Sequence, residues 1–157
     1  MADIKQGFGT STSITITLNS LASSATAGRE STAIDNGTNK FLDALVYVTV
    51  NVGAGTPAND KCAYVYAYGS EDGTNYTDNA TGSDAAITLR DPTNLKLVAV
   101  IAMPTASATY KVVFSIAQAF GGILPRKWGI VVRNYSGIAL GASNNAASYT
   151  GIYATSA

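Results

Sequence analysis

"FLDALVYVTVNV", residues 41–52, decides how the rest of this chain is read. Its even positions, Leu42, Ala44, Val46, Val48, Val50 and Val52, are all apolar, while its odd positions include Asp43, Thr49 and Asn51. Side chains alternate faces along a strand, so this pattern predicts a long strand with one core face. Val46, Val48 and Val50 are its expected core residues.

A strand with one apolar face needs a second surface to cover it. Working outward, "SITITL" (13–18) alternates in the same way, and "ESTAI" (30–34) is a shorter strand before the turn signal "DNGTN" (35–39). "CAYVYAYGS" (62–70), "AITL" (86–89), "LKLVAVIAM" (95–103), "TYKVVFSIAQAF" (109–120), "KWGIVVRN" (127–134) and "SYTGIYA" (148–154) also read as strands. Asn36-Gly37, Asp72-Gly73, Asp91-Pro92, Pro104 and Gly121-Gly122 punctuate them. Residues 19–29, small and polar without a period, read as a loop.

About eight strands with no helix of convincing period predict an all-β fold. Because most strands keep one polar face, two antiparallel sheets packed face to face, a jelly-roll-like sandwich, are expected. Residues 13–157 form its single domain, and residues 1–12 are expected to be a flexible N-terminal arm.

Composition narrows the function. Charged residues are 13% of the chain, against a typical ~25%. Ten basic and ten acidic residues balance, which argues against nucleic acid as a partner. The ten acids and five of the bases lie in residues 1–91, and residues 92–157 carry five bases and no acid. Either the two halves interleave and mix their charges, or the surface is dipolar. The start, "MADIKQGFGT", has no apolar signal core, and no run approaches the ~20 residues that span a bilayer. A soluble protein made in the cytoplasm, with no membrane partner, is expected. The four Asn-x-Ser/Thr sequons, at Asn36, Asn75, Asn79 and Asn134, are then a by-product of Asn- and Thr-rich loops.

The chain has no histidine and a single cysteine, Cys62. That removes the commonest general base, the usual triads, a disulfide within the chain and a structural zinc site. Cys62, opening a strand, is expected to be buried and inert. Phosphate-cradling glycine motifs are absent from the sequence. Glu71 and Asp72 sit together in a turn, where carboxylates cap backbone amides. Asp78, Asn79 and Asp84 in one loop, with Asp35 and Asn39 in another, are oxygen donors of the kind calcium takes. Neither stretch matches an EF-hand loop, and such residues are routine in turns. No catalytic residue, metal or cofactor is assigned, and an enzyme is not expected.

Tyr64, Tyr66 and Tyr68 share one face of their strand, with Tyr76 shortly after. Such a row can pack within the fold, form an interface with another subunit, or stack on carbohydrate. It is the candidate interface.

"RESTAIDN" (29–36), "FLDALVYVTV" (41–50), "YVYAYGSEDGTNYTDNATGSDA" (64–85), "FGGILPRKWGIVVRNYSGIAL" (120–140) and "YTGIY" (149–153) together resemble a family of small virion structural proteins of tailed bacteriophages, across nearly the whole chain. Several jelly-roll proteins of this size are decoration, or cement, proteins on the outside of a capsid. The resemblance implies a viral structural protein on the outer capsid surface that binds the major capsid protein and self-associates as a dimer or trimer. In that reading Trp128, Ile130 and Val132 are core framework and Asn134–Gly137 form the turn after their strand. The alternative for this stretch is a groove with Trp128 exposed beside Arg126 and Arg133. Alternative functions are a tail, fibre or receptor-binding component and a carbohydrate-binding β-sandwich module.

Overall fold

The computed structural model describes residues 3–156 and is an all-β sandwich of two antiparallel sheets. The strands are β1 (Ile4–Phe8), β2 (Thr12–Ile14), β3 (Ala27–Glu30), β4 (Ile34–Asp35), β5 (Asp43–Asn51) and β6 (Cys62–Ser70). They continue with β7 (Ala85–Thr88), β8 (Lys96–Ala102), β9 (Thr109–Ser115), β10 (Lys127–Tyr135) and β11 (Ala146–Ser156). One sheet runs β1-β11-β5-β9, with β2 also on β11; the other runs β7-β3-β10-β6-β8, with β4 also on β10.

The pairing is nested. The first strands, β1 and β2, pair with the last, β11; β3 and β4 pair with β10; β5 pairs with β9; and β6 pairs with β8. With β1/β2 and β3/β4 each counted as one interrupted strand and β7 as an accessory, this is the eight-strand jelly roll. The two differently charged halves therefore alternate strand by strand along the β1-β11-β5-β9 sheet and meet at β10-β6-β8 in the other.

Alternation explains the core. Ala44, Val46, Val48, Val50 and Val52 are fully buried, and Ala63, Val65, Ala67, Trp128, Ile130 and Val132 join the same cluster from the facing sheet. Trp128 meets Tyr149 across the sandwich edge to face, 5.3 Å between ring centroids. Cys62 is buried and free. Leu42 departs from its pattern and is 59% exposed, because the ladder with β11 begins at Asp43 and Leu42 lies beside the terminal strands, outside the core cluster.

Strand boundaries differ from the sequence expectation where polar groups redirect the backbone. Ile14 and Leu18 are buried as their period requires, yet the ladder stops at Ile14. Thr15 then accepts a hydrogen bond from the Thr32 amide, and the Thr17 amide donates to Asp84, both in the direction of the other sheet. Residues 109–120 do not form one strand: Asp43 accepts from the Ser115 hydroxyl and the Ala117 amide, turning Ala117–Phe120 into a 3-10 helix. Gly121 and Gly122, both at positive φ, release the chain from that turn. "DNGTN" forms a short helical turn, Asn36–Asn39, whose N-cap Asp35 accepts from the Gly37 amide. Ala27–Glu30, expected to begin as loop, is a strand between β10 and β7, and one extra residue separates it from β4 along β10.

Much of the arm expected over residues 1–12 is paired into the fold. Residues 1 and 2 lie outside the described residues, but Ile4–Phe8 pair in register with Ile152–Ser156, and Thr12–Ile14 pair with Ala147–Tyr149. Backbone donors along β11 beyond its ladder with β5 find their partners there.

Trp128→Ala should cost about 3–5 kcal/mol, because it empties a large site between two rigid sheets. Urea denaturation followed by far-ultraviolet circular dichroism measures it, and a loss under 1 kcal/mol would contradict this core.

Candidate interaction surfaces

The tyrosine row faces away from the sandwich core, as its alternation requires, but it is not a free platform. Residues between β6 and β8, with β7 pairing to β3, lay a second small core over that face. Tyr66, Tyr68, Ile87, Leu89, Leu95 and Val131 form it, with Tyr64, Tyr76 and Ala80 packed against it. Tyr68 is wholly buried; its hydroxyl donates to the Ser31 carbonyl at 2.6 Å and its ring meets Tyr76 edge to face at 5.7 Å. Burial drives its phenol above the ordinary tyrosine range, with Glu30 nearby adding to the rise. Of the four candidate interface residues, then, Tyr66 and Tyr68 are spent on the fold itself, and Tyr64 and Tyr76 are half-buried.

Gly129 lies directly opposite Tyr68 on β10, and the ring occupies the space a Cβ would take.

Arg133 packs on the same face. Its guanidinium stands 4.4 Å over the Tyr64 ring, with Tyr135 and Tyr66 further off, and donates to the Ala25 carbonyl at 2.8 Å. Its Nε is buried without a partner beside a polar cavity of about 210 Å³ that Arg90, Asp91 and Thr93 also line. Tyr64 donates to Asp60, and that hydrogen bond raises its phenol above the ordinary range. Trp128 is 1% exposed while Arg126 is exposed, so the alternative groove with an open indole does not exist. Asn134 is still in its strand, buried, donating to Leu21 and Ile138 carbonyls.

The loop carboxylates Asp72, Asp78 and Asp84, of which the last two are candidate cation ligands by sequence, are occupied by the chain's own donors. Asp72 accepts from the Thr74 and Asn75 amides, which hold its carboxyl below the usual range. Asp78 accepts from Thr93 and from the backbone and side chain of Asn94. Burial alone would raise its carboxyl, but those bonds and nearby Arg90 bring it below the ordinary value. Asp84 is partly desolvated, which by itself raises its pKa. Hydrogen bonds from Arg29 at 2.6 Å and from Thr17 outweigh that and lower it to about 2. Asn79 donates to the Thr88 carbonyl, and Asn39 to that of Asp35. Among the described residues no group of three or more Asp, Glu or Cys side chains converges as a metal site. Glu30, given no role in the sequence reading, is 1% exposed and accepts from the Thr81 amide and hydroxyl, tying the covering loop to β3. Nothing in "AGRE" signals that burial, since the donor comes from 51 residues away.

The exposed large apolar side chains lie mostly at strand edges, with Tyr47 on β5 an exception. Ile4, Phe8, Leu42 and Tyr153 are exposed around the terminal strands, where Ile4, Leu42, Leu45 and Ile152 line an open groove of about 390 Å³. Leu97 and Val100 on β8 and Val113 on β9 are exposed on the flank where those two edge strands run. Ile123 is exposed beside Phe120 and Pro125. The molecule is thus a jelly-roll sandwich whose largest uncovered apolar side chains lie mostly at its edges. No family model, no curated protein and no solved structure matches the chain.

Gly129→Ala should destabilise the fold by about 1–3 kcal/mol, since the buried Tyr68 ring has nowhere to move; the urea midpoint reads it. Asp84 has a lowered pKa, so its bonds stabilise the fold fully above the ordinary value of 3.8 and are lost as pH falls toward about 2. The urea midpoint of the wild type should fall across that window. Asp84→Asn should begin lower at pH 7 and lack that part of the fall.

Proposed function

We propose that the protein is a capsid decoration, or cement, protein of a tailed bacteriophage, binding between major capsid subunits on the outside of the head. The observation that carries this is the placement of its exposed apolar side chains. Most of them sit at the projecting terminal strands and on the edge strands β8 and β9 of a rigid sandwich, where patches of this kind mark sites of protein association. The resemblance of its sequence to small phage virion proteins supplies the particle.

Adhesion needs no turnover, and the acids fit that reading. General acid–base work calls for groups poised near the working pH, whereas Asp72, Asp78 and Asp84 are pushed further into the ionised range as acceptors of internal hydrogen bonds. Repeated over a lattice, modest contacts at each copy sum to strong retention. Self-association suits this role, since symmetric oligomers match lattice axes. The charge balance of the chain argues against nucleic acid as its partner.

Heads purified with and without the protein test the proposal. The expected result is protein on the outer head surface by electron microscopy and lower heat and chelator resistance in its absence. Equal resistance with no protein on the head would overturn it, and density on the tail instead would move it to the tail or fibre.

A further inference from the structure

The open edges of the two sheets are not equivalent. β2 has three residues, β7 four and β1 five. β8 has seven, but its register with β6 shifts by one at Val65/Tyr66, leaving Val98 as an extra residue, and Pro104 follows it closely. Such bulges and prolines blunt an edge against further pairing. β9 has none of these. It runs seven residues in unbroken register with β5, from Leu45 opposite Ser115 to Asn51 opposite Thr109.

Its backbone polarity follows from the bonds at its two ends. The Ile116 amide donates to the Ala44 carbonyl, and the Val52 amide donates to the Ala108 carbonyl, in the same register. Hydrogen-bonded pairs alternate with non-bonded ones in an antiparallel ladder, so Tyr110, Val112 and Phe114 bond to β5. Thr109, Lys111, Val113 and Ser115 therefore turn their amides and carbonyls toward the open side. The flank beside them is apolar: Val112 and Tyr110 face the core yet stay half-buried, unlike Val46, Val48 and Val50 on the neighbouring strand, and Val113 is 60% exposed.

We propose that a second copy of this chain pairs antiparallel on β9, about a two-fold axis at Val112. This deepens the adhesive reading and rests on its self-association. Only registers that place odd residues opposite odd residues join the outward backbone groups. Of these, the register centred on Val112 matches the full strand length, with Thr109 opposite Ser115 and Lys111 opposite Val113 of the second copy. Shifting the centre to Lys111 sets two like charges against each other, which is unfavourable in directly opposed pairs. In the chosen register Tyr110 meets Phe114 of the other copy and Val112 meets its own equivalent, so the half-exposed core residues of both flanks are covered.

Light scattering coupled to size-exclusion chromatography tests this on the whole chain. The wild type is expected at the mass of two chains. Val113→Lys sets Lys111 opposite a second lysine at both ends of the axis, and is expected at the mass of one chain with an unchanged circular dichroism spectrum, because residue 113 is exposed. Adding Lys111→Glu to Val113→Lys creates Glu–Lys pairs across the axis and should restore two chains. A wild type that elutes as one chain at every concentration, a Val113→Lys protein that stays at two, or a double variant that stays at one would overturn the proposal. Head decoration is measured separately, so a failed dimer leaves the particle reading standing and a failed decoration leaves the dimer standing.

Discussion

Neither sheet of this molecule can keep its own apolar face dry. Each buries that face only against the other, and every other feature is arranged around that mutual dependence. Val46, Val48 and Val50 come from one layer, Trp128, Ile130 and Val132 from the other, and Trp128 with Tyr149 closes the contact across both. Non-directional burial of this kind drives the collapse. The nested pairing then supplies direction, since each hydrogen-bonded ladder joins strands far apart in the chain.

The polar groups are placed so that this scaffold does not slip. Asp43 stops β9 and starts the 3-10 turn, Ser31 and Tyr68 share a buried hydrogen bond, and Glu30, Asp78 and Asp84 fasten the covering loop. A reader of the loop alone sees a set of oxygen donors without a ligand. In the folded chain those oxygens are satisfied by amides and hydroxyls from elsewhere, which is why the loop is better described as a lid on the tyrosine row than as a receptor. Buried acceptors left without such donors would be costly.

The same economy explains where association is concentrated. Faces that could have offered large aromatic surfaces are consumed internally, Tyr66 and Tyr68 under their lid and Trp128 between the sheets. Strand edges cannot be consumed this way, because each sheet must end somewhere. Exposed apolar side chains collect beside those ends, around the terminal strands and along β8 and β9.

Alternation of residue type was enough to determine the all-β class, the two-layer packing and most core residues, because facing in or out is a local property repeated every second residue. It located β5, β6 and β10 closely. It missed most of β3, whose four residues, Ala-Gly-Arg-Glu, are too mixed to carry a period, and it extended the strand after Thr109 through a turn made by Asp43. Tertiary structure alone decided which carboxylates are acceptors for distant amides, that the tyrosine row is covered, and that residues near the start of the chain are held by strand β11. Those outcomes depend on groups brought together from remote positions, and no local pattern encodes which donor will arrive.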